Sequence, residues 1–451
     1  MNPNPRGTHD AQARRRVAPT VSAVLPSGAL VEMVYRHDER RTGFAVLEGN
    51  TWQVVSTVDL DDRTRLVPYS PQNNLLKNEV VLLPSEPEEY GSEEQLVAEI
   101  RAFLHRYVDL SPLFEEVAAF YVLLSWVYDR FNEVPYLRFR GDPGTGKTRA
   151  LLTVGSLCYK PIFASGASTV SPLFRILDAF RGTLVVDEGD FRMSDERAEV
   201  VKILNNGNAR GFPVLRSEVA PNRREFNPRA YHVFGPKLVA TRGFFEDRAL
   251  ESRFLTEELG DRGLREDIPI SLPPEHKAEA LRLRNKLLLF RFQNRHKTAV
   301  AEGVVDRTIE PRLNQIFAPL LSVIEDRKAR EQLRELARQY NRELVTERGM
   351  DLEAHILEVI RDLRVFQGDG PITIKAVTDW LAERHGQEYE RKLTPKWIGG
   401  VIRKKLHLGT RKTGGSYVLL PSEAGKLERL YEKYGVGLAD GAAEEAEPAA
   451  G

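Results

Sequence analysis

Hydrophobic positions change their spacing several times along the chain. Over 21–83, apolar residues occur in short runs separated by turn residues such as Glu48-Gly49-Asn50, a pattern typical of β-strands. The clearest runs begin near Ala29, Gly43 and Trp52. We therefore predict a small β-rich domain at 21–90, closed by an acidic, proline-bearing linker at 84–94.

The spacing becomes helical after residue 91. Leu96, Ile100, Phe103 and Leu104 fall on one face, and 113–128 is apolar almost all round, which predicts a buried helix. We assign 91–135 to a helical segment. The longest apolar run, 117–128, is too short to cross a bilayer. With no visible signal peptide, we expect a cytoplasmic protein without a membrane partner.

Strand-like and helix-like runs alternate over 136–270. Apolar strands are predicted at 136–140, 160–165, 183–188 and 236–241, with helices between the first three. This order predicts an α/β fold with a parallel sheet and right-handed crossovers. Helix-like runs then dominate 271–350.

The loop after the first of these strands carries the clearest chemistry. It is a full match to the Walker A pattern, with a strand before it and a helix after it. Its glycines let backbone N–H groups surround a phosphate, Lys147 would reach the β- and γ-phosphates, and Thr148 would hold Mg²⁺. The sequence therefore predicts ATP and Mg²⁺ as cofactors. The predicted nucleotide-binding residues are Gly141, Asp142, Pro143, Gly144, Thr145, Gly146, Lys147 and Thr148.

A second motif follows about forty residues later. The run 183–188 is an apolar strand ending in Asp187 and Glu188, as expected of a Walker B motif. Ligands bind at the carboxyl ends of strands in an open α/β sheet. Asp187 would orient the metal and its waters, and Glu188 would polarise the attacking water as general base.

Together these motifs resemble AAA+-type P-loop ATPases over about 136–345. The narrower resemblance is to helicase-like ATPases of phages, plasmids and other mobile elements, often found beside a primase. It also rests on the stretch from Leu204 to Arg216, on the strand ending at Thr241 and on Ser252-Arg253. The resemblance implies a homo-oligomer of the kind that forms a hexameric ring, with nucleotide sites at subunit interfaces and a primase or another replication protein as a partner.

The resemblance also implies roles for single residues. Thr241 would help place the lytic water. Arg253, or as second choice Arg248, would be an arginine finger for a neighbouring subunit; a surface salt bridge is the alternative. Residues 271–350 would form the helical lid, in which Arg312 matches the arginine that contacts the γ-phosphate, unless it is an ordinary exposed arginine.

Two basic regions are candidates for DNA binding. Residues 207–233 include five arginines and only two acidic residues. This composition fits either a solvated loop or an insertion that contacts a nucleic-acid strand, and we take Arg210 and Arg216 as candidate contacts. In 351–435 three predicted helices precede a hairpin, the order of a winged helix, with eight basic residues and no acid over 391–412. The candidates here are Lys392, Lys396, Arg403, Lys404, Lys405, Arg411 and Lys412. The alternative is a winged helix that binds protein. Gly399-Gly400 would allow close approach to DNA or to another helix.

Composition adds three constraints. Basic and acidic residues balance, 65 against 65, so any nucleic-acid surface must be local. The single Cys158 excludes a disulfide framework and suits a small buried residue in a reducing compartment. We predict a disordered basic arm at 1–20 and a disordered tail at 436–451.

The sequence thus favours a Mg²⁺-dependent, ATP-hydrolysing DNA motor, a helicase or translocase acting in replication or mobilisation of a genetic element. An ATP-gated DNA-binding loader or regulator that unwinds nothing is the main alternative. A third possibility is a tethering module whose winged helix binds a partner protein.

Overall fold

The structure is a computed structural model. It describes residues 16–49, 51–165, 170–187, 194–217, 227–245, 247–260, 265–349, 352–368, 370–386, 389 and 392–436. The chain forms two compact units, residues 1–335 and 336–451. Each unit has its own hydrophobic interior.

The first unit opens with two small sheets. Their strands are β1 (Arg16–Pro19), β2 (Ser22–Val24), β3 (Leu30–Arg36), β4 (Arg41–Glu48), β5 (Thr51–Val55), β6 (Val58–Asp59) and β7 (Thr64–Val67). Strands β2 to β5 form an antiparallel meander, and β1 pairs in parallel with β7. The predicted disorder of 1–20 is therefore wrong for residues 16–19, because β7 supplies their backbone hydrogen-bond partners. The rest of that prediction, for 1–15, and almost all of the predicted tail lie outside the described residues.

Three helices follow: α1 (Asn74–Lys77), α2 (Glu93–Tyr107) and α3 (Pro112–Val127). Ser92 begins α2 with a capping box to Gln95, and Ser111 caps α3, with Pro112 at its first position. The predicted burial of α3 is confirmed, because every residue from Val117 to Val127 is buried. A helix without a polar face must be covered on every side, so α3 is a central support of this unit.

A five-stranded parallel sheet forms the next layer, in the order β14-β8-β13-β10-β9. In chain order the elements are β8 (Tyr136–Arg140), α4 (Lys147–Gly155), β9 (Ile162–Ser165), α5 (Val170–Phe180), β10 (Leu184–Asp187), α6 (Ser194–Gly207), β11 (Val214–Arg216), β12 (Arg229–Tyr231), β13 (Lys237–Thr241), α7 (Arg248–Glu251) and β14 (Phe254–Glu258). The predicted parallel α/β sheet is confirmed. A five-stranded parallel sheet is consistent with a P-loop NTPase-like core.

The edge strand β14 was not predicted from the sequence. It pairs with β8 from Phe254 to Glu258, directly after Arg253. Its last residues, Thr256-Glu257-Glu258, are polar, as is common at a sheet edge. The missing apolar run explains why the pattern gave no strand there.

The small N-terminal sheets pack onto this core. One hydrophobic cluster contains Val31, Met33 and Phe44 together with Tyr136 and Leu184. Cys158 is fully buried nearby, and burial raises the pKa of its thiol to about 12. As predicted, it is a packing residue.

The first unit continues with α8 (Pro274–Asn294) and α9 (Pro311–Ser322), and α10 (Arg327–Gly349) contains the division between the units. Pro311 occupies the first turn of α9, where a missing N–H costs no helix hydrogen bond. Helices α2 and α3 both pack against α8. None of the helices in the described part of the chain is long and apolar enough to cross a membrane.

The second unit contains α11 (Leu352–Gln367), α12 (Ile374–His385), α13 (Pro395–Lys404), β15 (Thr410–Thr413), β16 (Ser416–Leu419) and α14 (Ala424–Tyr434). Thr394 caps α13, since its side chain accepts a hydrogen bond from the Trp397 N–H. Strands β15 and β16 form the predicted hairpin. The closing helix α14 was not predicted; it covers the core with Leu427 and Tyr431.

The two adjacent glycines of α13 differ. A Cβ on Gly399 would lie 3.3 Å from a methyl of Ile374, so this glycine lets α13 and α12 approach closely. A Cβ on Gly400 would meet nothing within 4 Å. Of the two explanations for the pair, close approach to a helix therefore applies to Gly399.

One carboxyl group makes the stability of the first unit depend on pH. Burial, with a smaller contribution from Glu325, raises the pKa of Glu93 to about 7. The folded chain therefore keeps this proton at pH values where the unfolded chain has lost it, and stability falls as the pH rises from about 4.5 to 7. We predict that Glu93→Gln raises the midpoint of thermal unfolding at pH 8 and has little effect at pH 4.5.

Glu94→Gln is the matched control, since Glu94 lies in the same first turn of α2 and is exposed. It should not raise the unfolding midpoint at pH 8. An equal shift of the Glu93→Gln midpoint at both pH values would contradict the assignment.

Candidate nucleotide-binding site

The Walker A segment connects β8 to α4. Gly146 is the N-cap residue of α4 with φ 93°, a left-handed conformation that glycine adopts without strain. Gly141 is required for a different reason, because a Cβ there would lie 2.2 Å from the Leu259 carbonyl oxygen at the end of β14. The loop is thus enclosed between the sheet and the start of a helix, where backbone N–H groups remain available to an anion.

Lys147 lies inside its own loop. Its ammonium group donates to the carbonyl oxygens of Gly141 and Asp142, both at 2.6 Å. These contacts place a positive charge within the curve of backbone from Gly141 to Gly146. Lys147 and Thr148 both belong to the first turn of α4, so the helix fixes their spacing.

Thr148 and Asp187 meet across the carboxyl edge of the sheet. The Thr148 hydroxyl donates to Asp187 Oδ2 at 2.7 Å. Asp187 is the last residue of β10, which is separated from β8 by β13 alone. The sheet order therefore brings together two oxygen-bearing side chains that lie thirty-nine residues apart in the sequence. A hydroxyl and a carboxylate oxygen are hard ligands of the kind that Mg²⁺ prefers.

Thr241 lies at the same edge of the sheet. Thr241 ends β13 beside Arg140, its carbonyl accepts the Gly141 N–H at 3.3 Å, and its side chain is buried. Its hydroxyl has no hydrogen-bond partner within the described residues, although a buried polar group without a partner is unfavourable. Glu188 lies outside the described residues, so its predicted role stays a prediction.

The predicted arginine fingers are placed differently from each other. Arg253 Nη1 donates to the carbonyls of Leu204 and Asn205, at 3.2 and 2.8 Å, and to Asn205 Oδ1 at 2.8 Å. Its side chain is therefore tied to the end of α6 in its own chain. Arg248 lies exposed at the start of α7.

Arg312 also reaches α7. Its Nη2 donates to the Ala249 carbonyl at 2.9 Å. Of the three arginines that the sequence singled out, Arg248 belongs to α7, Arg312 donates to α7, and Arg253 donates to α6.

The sequence analysis missed two residues that hold this arrangement. Asn205 accepts from Arg253 and donates to Asp247, the N-cap of α7, at 3.0 Å. Arg138 is almost fully buried in β8 and donates through both terminal nitrogens to Glu251 in α7, with Nη1 to Oε2 at 2.8 Å. A charged residue inside an apolar strand requires a buried partner, and this signal was visible in 136–140.

The two arginines near the β11–β12 hairpin also contact their own chain. Arg210 Nε donates to the Phe131 carbonyl at 2.8 Å, and its Nη2 donates to the Asp129 carbonyl. The Arg216 guanidinium lies 4.9 Å from the centre of the Phe174 ring. Both anchor the base of the hairpin, and their assignment to DNA stays a prediction.

In the second unit the predicted DNA-binding side chains share a surface location. All seven are exposed: Lys392, Lys396, Arg403, Lys404, Lys405, Arg411 and Lys412. Two of them also interact with a neighbouring side chain, one in an ion pair and the other over an aromatic ring. Lys405 Nζ lies 2.6 Å from Glu353 Oε1, and the Arg403 guanidinium lies 5.3 Å from the centre of the Tyr417 ring. Helix α13 and strand β15 therefore carry a basic surface.

Comparisons with known proteins give limited information. No protein-family model and no curated protein matches the sequence. Similar solved structures include the C-terminal region of NrS-1, 13% identical, which covers 86% of this chain and 96% of its own with a TM-score of 0.37. The SCCmec type IV Cch helicase is 12% identical, covers 91% and 80%, and has a TM-score of 0.42. The JCV helicase is 16% identical, covers 45% and 54%, and has a TM-score of 0.27. TM-scores below 0.5 do not establish a common fold, and identities this low carry no information about activity.

Proposed function

We propose that this protein is a Mg²⁺-dependent ATPase that converts ATP hydrolysis into movement on DNA. The observation that carries the proposal is the 2.7 Å contact between Thr148 and Asp187 beside the Walker A loop. The strand–loop–helix context, the ammonium group of Lys147 within the loop and the carboxylate on the adjacent strand end are the parts that phosphoryl transfer requires.

The roles of the chain's own residues follow from their positions. Backbone N–H groups of 141–146 and the Lys147 ammonium would hold the phosphates, while Thr148 and Asp187 would hold Mg²⁺, which neutralises charge on the phosphate oxygens. Glu188, next to Asp187, would accept the proton of the attacking water. The buried hydroxyl of Thr241, which lacks a partner in the described part of the chain, would position that water.

Helix α6 offers a path from this site to the basic hairpin. It begins shortly after Asp187 and ends at Gly207, just before β11. The carbonyl of Gly207 accepts from the buried Lys237 ammonium at 3.2 Å, and Arg253 holds the carbonyls of the preceding turn. A shift of Asp187 and Glu188 during hydrolysis would therefore reach the hairpin, which we propose contacts a DNA strand.

The second unit would hold or recruit DNA. Three helices, a hairpin and the basic surface on α13 and β15 fit a winged helix, in which the third helix and the wing contact the duplex. Exposed lysines and arginines supply affinity through phosphate contacts rather than sequence choice.

The first test is ATP hydrolysis by the full-length protein with and without single- and double-stranded DNA. We predict that DNA stimulates hydrolysis and that Glu188→Gln lowers the rate by about a hundredfold or more, because a general base contributes on that order. Glu94→Gln, a surface carboxylate in α2, is the control and should leave the rate unchanged.

Each other outcome has a definite meaning. Slow hydrolysis that is indifferent to DNA would reject the motor and favour the ATP-gated loader or regulator. Wild-type hydrolysis in Glu188→Gln would reject the role given to that carboxylate.

The positions of the two finger candidates lead to a second prediction. Arg253→Ala should lower the free energy of unfolding by about 2 kcal/mol, because it removes hydrogen bonds from a charged donor to the end of α6. Arg248→Ala should lower hydrolysis by about a thousandfold or more, as loss of an arginine finger does.

Thermal unfolding and steady-state hydrolysis of both variants check this prediction. A stable Arg253→Ala protein with abolished hydrolysis, beside an active Arg248→Ala protein, would restore Arg253 as the finger.

The basic surface of the second unit can be tested through its dependence on salt. We predict that Lys396→Ala, Arg411→Ala and Lys412→Ala combined weaken DNA binding and reduce the slope of log K against log salt by about one for each lost phosphate contact. Fluorescence anisotropy with a labelled duplex measures both quantities.

The control removes the same charge elsewhere in the unit, through Lys375→Ala, Arg429→Ala and Lys433→Ala combined, at exposed positions on α12 and α14. An equal reduction of the slope in both triple variants would show that net charge matters and that α13 and β15 form no specific surface.

A further inference from the structure

A large cavity lies in the first unit, away from the Walker A loop. Its volume is about 780 Å³, within the range of about 300 to 1,000 Å³ usual for small-molecule sites. Its walls come from the N-terminal segment 19–24, the end of α5, the base of the β11–β12 hairpin and the last turn of α8. None of the residues 141–148 lines it.

The wall of this cavity carries more positive than negative charge. Behind the surface, Glu32 and Asp129 face Lys160, Arg291 and Arg295, at distances of 2.7 to 2.9 Å. Three cations thus meet two carboxylates in a largely buried network, and one positive charge is in excess. At the rim, Arg181 and Arg210 face the single carboxylate of Asp178. A low-dielectric wall with excess positive charge favours an anionic ligand.

Arg181 is held in a conformation that does not suit an arginine. Its φ is +50°, in the left-handed region that glycine adopts without penalty. The Tyr128 hydroxyl fixes it there by donating to the Arg181 carbonyl at 2.7 Å. The side chain remains 60% exposed, and its ion pair with Asp178 is long, at 4.0 Å. Strained residues of this kind often mark functional positions, and a glycine would serve the backbone better.

Aromatic rings line the same cavity. The rings of Tyr128 and Phe234 lie 5.7 Å apart, and the Arg210 guanidinium lies 4.9 Å from the centre of Phe234. Tyr69 stacks on Phe180 at 5.4 Å. Flat apolar surfaces beside cations suit a ligand that has both an aromatic base and a phosphate better than they suit inorganic phosphate alone.

We propose that this cavity is a second nucleotide site, which binds a nucleoside phosphate either free or as the 5′-phosphorylated end of a DNA strand. Arg181 and Arg210 contact the phosphate at the rim, and the aromatic wall receives the base. The site is separate from the Walker A loop, and its existence does not depend on ATP hydrolysis there.

Binding is measured with the full-length protein carrying Lys147→Ala, which weakens phosphate binding at the Walker A loop. The probes are AMP, a 5′-phosphorylated tetrathymidylate and the same strand with a 5′-hydroxyl. Saturable binding of AMP at the same affinity as the phosphorylated strand identifies a free nucleotide as the ligand. Binding of the phosphorylated strand alone identifies a strand end.

Arg181→Gly is the decisive variant, because it removes the guanidinium and relieves the left-handed backbone. It should bind the preferred probe about tenfold more weakly, the loss of one charge-assisted contact, with an unfolding midpoint equal to or above that of the parent. Arg40→Gly is the matched control, since Arg40 is also an exposed arginine with a positive φ, 49°, but lies at the β3–β4 turn. It should bind as the parent does.

A second variant, Asp178→Asn, is expected to change the binding affinity in the opposite direction. The backbone N–H of His232 donates a hydrogen bond to Asp178 Oδ1 at 3.1 Å. Asp178→Asn removes the negative charge at the rim and keeps an oxygen that can accept this hydrogen bond. It should bind the probe more tightly. The proposal is overturned if no probe binds saturably, if Arg181→Gly binds as tightly as Arg40→Gly, or if the 5′-hydroxyl strand binds as tightly as the phosphorylated one.

Discussion

One buried carboxylate, Glu32, joins three parts of the first unit. It lies on β3 of the N-terminal sheet, and its partners are Lys160, just before β9, and Arg291 on α8. Burial by itself would raise the pKa of the Glu32 carboxyl, but the two cations together lower it below the usual range. Removing one partner of such a group leaves an uncompensated buried charge, which lowers the free energy of unfolding by about 3–5 kcal/mol. The N-terminal sheet is therefore bound to the α/β core by an interaction that tolerates little change of geometry, and Arg291 of this network also lines the basic cavity.

Buried cations also organise the region around the Walker A loop. Arg138 connects the strand before this loop to α7, and Lys237 connects the start of β13 to the end of α6. Lys237 has three carbonyl acceptors, those of Gly207, Val233 and Gly235, one for each of its N–H groups. Such contacts link the strands that end at the site to the helices and the hairpin outside it. They join α7, the end of α6 and the start of β13 to the strands of the sheet through buried charged groups.

The elements that the pattern predicted well have in common a strong local signal. The buried helix α3 has no polar face, the strands at 136–140 and 236–241 are apolar and bounded by turn residues, and Thr394 and Pro395 mark the start of α13. The elements that it missed depend on partners distant in sequence. Strand β1 exists because β7 pairs with it, β14 because it extends β8, and α14 because the core of the second unit needs a cover. None of these three has a long apolar run of its own.

The sequence by itself determined the parallel α/β core and the glycine-rich loop after its first strand, because tight turns and buried parallel strands require particular residues at fixed local spacing. Only the tertiary structure decided which distant side chains meet. It brought Thr148 to Asp187 through the order of the strands, tied Arg253 to Asn205 while leaving Arg248 exposed, and enclosed a basic cavity behind Arg181. These relations depend on the order of the strands in the sheet and on which buried charged residues pair with each other. The local spacing of apolar residues predicts neither.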